Sequence, residues 1–293
     1  GYVMTQDVAH IDLSQRSNRF LRGLMRHRLA LIGMVVLSLF VFMAVFADAI
    51  TTYAYDERDS RNRDSAPTLA HPLGTDALGF DVWSQLVYST RVSLSVGITT
   101  GVLVVGLGTL IGLVAGYFGG WVDQALMRLA DTVISFPGLV IILAAVAILG
   151  SSLSNIVLVM GVILWPGTAR LVRSQVLSLR NWDFVEAARA QGATKGRILW
   201  RHILPNVLSS VIVAVTLAVA SAILIEANLS FLGLGDPTQP SWGRMLNAAQ
   251  SHRVLRTRWW LWAPPGIAIA LCTLSINFIG DGLRDALDPY TVT

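Results

Sequence analysis

The stretch from Asp183 to Pro205, DFVEAARAQGATKGRILWRHILP, gathers ionisable side chains between two apolar runs. Asp183 and Glu186, three positions apart, match a capping box, in which carboxylates accept from free backbone amides in the first turn of a helix. Gly192 suits a left-handed C-terminal cap. These bounds predict about eight residues of helix, roughly 12 Å long, with Phe184, Ala187, Ala188 and Gln191 on one face. Phe184 can fill a pocket, while Ala187, Ala188 and Ala190 let a groove wall come close. Thr194 can cap a second helix that runs through Ile198 and Leu199 until Pro205 interrupts it. Such a pair of short helices makes contacts, not bonds.

Covalent chemistry finds no support elsewhere. The chain lacks H-E-x-x-H, G-x-S-x-G and paired-carboxylate patterns, which argues against an intramembrane hydrolase. The five histidines, His10, His27, His71, His202 and His252, have no ligand spacing, and Cys272 stands alone in an apolar run. Lys195, the single lysine, lies between Thr194 and Gly196, so it does not end a phosphate-binding loop. No catalytic residue, metal or cofactor is expected in this chain.

The elements that position the 183–205 stretch are membrane helices. Of 293 residues, 54% are hydrophobic and 14% charged, and the mean hydropathy is +0.59, too apolar for an ordinary soluble domain. Uncharged or nearly uncharged runs cover Leu29 to Ala47, Val92 to Val122, Thr132 to Ala169, His202 to Ile225 and Trp259 to Gly280. One span takes about 20 residues, so the longest run is split, at the turn-rich Gly150 to Asn155. The reading is an all-α polytopic membrane protein with six transmembrane helices.

Basic residues orient it. Fourteen lie on the side that carries the N-terminus and the Glu186 loop, against eight on the other. The positive-inside rule makes the former side cytoplasmic. The expected layout is a cytoplasmic segment over 1–28, a first span over 29–49, an external region over 50–91 and a five-helix core over 92–283. The core holds a cytoplasmic loop at 174–206 and an external loop at 227–258, and 284–293 forms a cytoplasmic tail. Met4 reads as the natural start. Leu21, Leu24 and Met25 give the basic segment before Arg28 a weak apolar face for the membrane surface.

Along the second span, Gly97, Gly101, Gly106, Gly108, Gly112 and Gly116 permit close approach of another helix, preferentially within the chain. Arg128 and Asp131 are placed to pair on a helix surface. Pro137 and Pro166 are expected to kink the third and fourth spans.

Outside, Asp56 to Asp64 reads as a solvated loop, and His71, Pro72, Leu73, Gly74, Thr75 and Asp76 as turns, with Thr75 or Asp76 capping a following helix. The fifth span is expected to end at Glu226. Gly233, Gly235, Pro240 and Trp242 then mark a turning segment, and Trp259, Trp260 and Trp262 suit the membrane interface.

These residues resemble a known family. Glu186-Ala187-Ala188, Gly192 and Ile203-Leu204-Pro205 look like the EAA loop of ABC importer permeases. His71 to Asp76 resembles the HPLGTD signature of the C-type subunit of dipeptide, oligopeptide and nickel importers, although Phe80 stands where that family usually has arginine. Glu226 to Gly235, Pro240 to Gly243, and Asn277 to Pro289 are similar to that subunit's external and terminal motifs.

The resemblance implies half of a two-permease core, with a homologous second permease, two cytoplasmic ATP-binding subunits that hold ATP and Mg2+, and an external substrate-binding protein. Asp183, Phe184, Glu186, Ala187, Ala188, Gly192 and Pro205 would then form the ATPase-coupling site, with Glu186 either capping the helix or contacting the ATPase. The family external motifs are His71, Pro72, Gly74, Asp76, Glu226, Gly233, Gly235 and Trp242. Di- or oligopeptides are the expected substrate, with nickel, glutathione or oligosaccharides as alternatives. An ion-driven carrier is the rival function, disfavoured by uncharged span interiors. A DNA-binding helix-turn-helix is disfavoured because its second helix would run into a membrane span.

Overall fold

A computed structural model describes residues 27–287, and the expectations for the basic N-terminal segment and for Asp288 and Pro289 lie outside them. Among the described residues the backbone forms helices and two isolated bridges, Arg58 with Phe80 and Thr75 with Asp81. Five helices are long and apolar enough to cross a membrane, and a bent pair makes a sixth span if counted as one.

The first span is α1 (Arg28–Val45), followed by the single turn α2 (Ala47–Ile50). The next, α3 (Val82–Phe118), starts ten residues earlier than its apolar run. Its 37 residues reach about 55 Å at 1.5 Å per residue, beyond the roughly 30 Å hydrocarbon core. The early start has a local cause: Asp81, not Thr75 or Asp76, is the cap, and its carboxylate accepts from the Ser84 amide at 2.8 Å. Asp76 is occupied in the preceding turn, where it accepts from the Leu78 and Phe80 amides at 2.9 Å each.

Then follow α4 (Gly120–Ile134) and α5 (Gly138–Leu149), set at 82° to each other. The expected kink at Pro137 is a full break, because proline has no amide to bond the preceding turn. Thr132 to Ile134 therefore belong to α4, and α5 is a 12-residue helix, about 18 Å long. By contrast α6 (Leu153–Leu179) carries Pro166 without interruption.

The short α7 (Asp183–Ala190) and α8 (Lys195–Ile198) lead through a π-helical segment (Leu199–Ile203) into α9 (Leu204–Phe231). Pro205 does not stop this helix. It falls at the start of α9, where the wider π turn has already shifted the hydrogen-bond register. Lys195 to Phe231 is thus one 37-residue helical rod. Glu226, expected at the helix end, lies within it. The return from the rod comprises α10 (Trp242–Ala248) and α11 (His252–Thr257), and α12 (Trp259–Leu287) closes the bundle. Trp259 and Trp262 are exposed there, whereas Trp260 is buried.

Close packing centres on α3. A Cβ at Gly112 would lie 2.6 Å from the Ala169 carbonyl of α6, and one at Gly101 2.5 Å from the Val219 side chain of α9. The glycine face therefore packs inside the chain, except at Gly106, where the space is open. On α4 the expected Arg128 pair is replaced: Asp131 bonds Arg170, and Asp123 holds Arg173, its Oδ2 2.6 Å from Nη2. Both partners lie on α6, which ties the tilted α4 to the bundle.

Candidate functional site

The 183–205 stretch folds as two short helices, but their ends and faces differ from the capping-box reading. Trp182 occupies the N-cap position without a side-chain bond, and Asp183 and Glu186 lie exposed in the first turn. No capping box forms; the two carboxylates face the positive end of the helix dipole. The C-terminal end closes as expected. Gly192 has φ +79°, its amide donates to the Arg189 carbonyl at 2.9 Å, and the Ala193 amide donates to the Ala188 carbonyl at 3.0 Å. That pair of bonds is a Schellman motif. Thr194 caps α8 by accepting from the Arg197 amide at 3.4 Å.

Val185 and Ala188 anchor α7. Both are buried in a cluster with Val176 and Leu179 of α6 and Ile198, Ile203 and Val207 of the rod, and Phe184 packs half-buried against it. Ala188 and Phe184, expected on the outward surface, therefore hold the helix to its own chain. The outward face is Asp183, Glu186, Ala187, Ala190 and Gln191, all exposed at helical spacing. Val185 escaped the sequence reading, although a valine between two charged residues in an otherwise small-residue helix is the natural anchor. Arg189 reaches back, donating to the Arg180 carbonyl at 3.3 Å and lying 6.0 Å from the Tyr117 ring centroid.

At the opposite end of the bundle the motifs around His71 and Glu226 build a lid. His71 is buried, with Nδ1 2.9 Å from Asp81 and Nε2 3.4 Å from Asp59, and its ring stacks on Tyr53. The Asn62 side-chain amide, aided by the Arg61 amide and by His71, holds the Asp59 carboxyl down at about 2. Burial pushes the Asp76 carboxyl up, against the amides of Phe80, Leu78 and Gly79. Gly74 has φ +73°, and a Cβ there would meet the Ser65 carbonyl at 2.5 Å. Pro72 is exposed beside it. Phe80 supports the Arg58 guanidinium at 4.9 Å from its ring centroid, an aromatic contact where an arginine would repel.

The motif that begins at Glu226 locks into the rod. Glu226 is 1% exposed; it accepts from Ser230 at 2.6 Å and from Ser93 of α3 at 3.4 Å. Trp242 is fully buried, edge-on to Phe40 at 5.6 Å, and its backbone amide donates to Ser93 at 3.5 Å. Gly233 turns the chain at φ +84°, and Gly235 lies so close to Ser230 that a Cβ would be 2.2 Å from its hydroxyl. Asp236 then accepts from the Leu153 amide at 3.1 Å, fixing the return to the start of α6. The 183–205 loop and the Glu226 lock therefore sit at opposite ends of one rod. Among the described residues no group of three or more His, Cys, Asp or Glu could hold a metal ion.

Comparison with known proteins places this arrangement. The family model described as binding-protein-dependent transport system inner membrane component matches residues 108–292, which contain both ends of the rod. The chain belongs to this family. A second model, the N-terminal transmembrane domain of oligopeptide transport permease C, matches residues 16–72.

Among similar permeases of this family, the dipeptide transport system permease protein DppC of Alkalihalophilus pseudofirmus is 43% identical over 92% of this chain and 88% of its own length. A putative peptide permease protein of Brucella suis is 41% identical over 94% of this chain and 91% of its own length. The glutathione transport system permease protein GsiD of Pectobacterium atrosepticum is 40% identical over 92% and 90%. The chain is a permease component, multi-pass in the membrane.

Proposed function

We propose that this chain is the transmembrane subunit of an ATP-driven importer for di- or oligopeptides, forming half of the translocation pathway. The observation that carries the reading is the rod from Lys195 to Phe231, which joins the anchored α7 to the Glu226 lock. A force on the exposed face of α7 passes through Val185 and Ala188 into a rigid element instead of being absorbed by a loose loop. The partners are a homologous permease, two cytoplasmic ATP-binding subunits that supply ATP and Mg2+, and an external substrate-binding protein. The basic-residue bias puts α7 on the cytoplasmic side, in a bacterial or archaeal plasma membrane.

In this reading, ATP binding draws the two ATPases together, α7 follows its groove, and the pathway turns outward. Hydrolysis resets it. Asp183, Glu186, Ala187, Ala190 and Gln191 touch the ATPase, while Phe184, Val185 and Ala188 transmit the motion. A second substrate reading is glutathione, favoured by the GsiD-like relative and chemically a modified tripeptide.

The test is co-purification of the detergent-solubilised chain with ATPases encoded beside it, followed by binding-protein-stimulated ATP hydrolysis. The wild type is expected to recruit the ATPases. Absence of recruitment, with uptake that follows an ion gradient instead, would replace the importer by a carrier.

A further inference from the structure

Between α6 and α9 lies an open groove of about 840 Å³, lined at helical spacing by Thr168 and Gln175 on one wall and Ser210 and Ser221 on the other. Its volume falls in the range of about 300–1,000 Å³ typical of small-ligand clefts. None of these four side chains has a hydrogen-bond partner among the described residues, and Thr168 is only 9% exposed. Hydroxyl groups within a membrane span, as at Thr168, Ser210 and Ser221, must find partners, because hydrocarbon supplies none. In an open groove these groups are free to meet water or a bound molecule.

We infer that this groove binds the main chain of a short, extended peptide, a proposal that rests on the importer reading and names how the same pathway holds its substrate. Ser210 and Ser221 are about 16 Å apart along α9, close to the span of five extended residues. Hydroxyls and a carboxamide both donate and accept, which matches the repeating N–H and C=O groups of a peptide whatever its side chains. Ser209 adds a further hydroxyl, the remaining walls are apolar, and the one charged lining residue is Arg284 in the last turn of α12. No fixed charge along the walls of α6 and α9 selects or repels an ionised side chain. Binding by scattered neutral groups is also weak enough for the substrate to leave.

Thiol labelling tests this in the complete complex with its partner permease, ATPases and binding protein, reconstituted in lipid vesicles. Ser210→Cys and Ser221→Cys are compared with Val162→Cys, on an exposed part of α6 outside the groove; Cys272 is buried, so the wild type sets the background. A charged methanethiosulfonate reagent is expected to label both serine positions at least about tenfold faster than position 162, because reaction needs a hydrated thiolate. During turnover, dialanine should slow that labelling several-fold, and Ala-Lys and Ala-Glu should protect to a similar degree.

Labelling no faster than at position 162 would mean that lipid or the second permease covers the groove, and overturns the proposal. Fast labelling without protection overturns it too, as does protection by only one charge class. Peptide uptake by the wild-type complex is measured alongside: uptake with an unprotected groove defeats this proposal alone, whereas no uptake defeats the importer reading on which it rests.

Discussion

The Ala193 amide reaches back to the Ala188 carbonyl at 3.0 Å, and this bond, closed over Gly192 at φ +79°, fixes where α7 ends and the rod begins. A Cβ at position 192 would meet nothing within 4 Å, so the constraint is purely conformational. Gly192→Ala should cost about 1–2 kcal/mol of local stability, Gly192→Asp less and Gly192→Asn least, because short polar side chains tolerate the left-handed region. Binding-protein-stimulated ATPase activity should follow the same order. Equal activity in all three variants would remove the turn from the coupling path.

The two faces of α7 give opposite predictions. Val185→Ala removes methyl groups from a buried cluster and should lower thermal stability by about 1–3 kcal/mol. Ala187→Leu, on the exposed face, should leave unfolding almost unchanged while weakening ATPase co-purification by about tenfold, as an unaccommodated side chain in a close contact would. If Val185→Ala alone disrupts association, the faces have been assigned the wrong way round.

The difference between these faces also marks what the sequence could and could not disclose. Length of apolar runs, glycine spacing and four ordered motifs sufficed for the helical class, the family and the turn at Gly192. Boundaries failed where a polar residue outside an apolar run decided them. Asp81 extends α3 outward by capping it, and the π turn at Leu199–Ile203 lets the helix pass Pro205, which no local pattern announces. Orientation of α7 failed for a different reason. Alanines suit either face, so only the distant partners of Val185 on α6 and the rod settle it.

Helix spacing around α3 separates two glycines that look alike in the sequence. At Gly112 a methyl group would press on the Ala169 backbone carbonyl at 2.6 Å, so Gly112→Ala should force α3 and α6 apart and cost about 1–3 kcal/mol. Gly106 faces open space, and Gly106→Ala should be neutral or stabilising by up to about 1 kcal/mol through helix propensity. Thermal unfolding of both variants in detergent checks the contrast, which disappears if α3 does not pack on α6.

Acid sensitivity of the lid should trace to Asp59. Its carboxyl titrates at about 2 in the folded chain, below its ordinary 3.8, chiefly through the Asn62 amide. A carboxylate with a depressed value contributes stability that is fully present above its unfolded value and is lost as pH falls through the folded one. Asp59→Asn should therefore lower the melting temperature above about pH 4 and converge with the wild type near pH 2. A constant difference across that window would show that the ionised form of Asp59 contributes nothing to the lid.

Glu226 differs from Asp59 in that the fold encloses it, with Ser230 and Ser93 directed at its two oxygens. Replacing it by alanine deprives both hydroxyls of their acceptor and leaves a buried space, which together should cost about 1–3 kcal/mol. Glu226→Gln keeps an acceptor oxygen and nearly the same volume, so it should stay close to the wild type. Because Ser93 also accepts from the Trp242 amide at 3.5 Å, the loss in Glu226→Ala should spread to the return segment. Limited proteolysis of residues 227–258 is expected to speed up in Glu226→Ala and not in Glu226→Gln. The lock sits on the same rod as α7, so binding-protein stimulation of the ATPases should fall in Glu226→Ala while basal hydrolysis persists. Faster proteolysis with full stimulation would confine Glu226 to holding the lid and would take the outer end of the rod out of the transmission path.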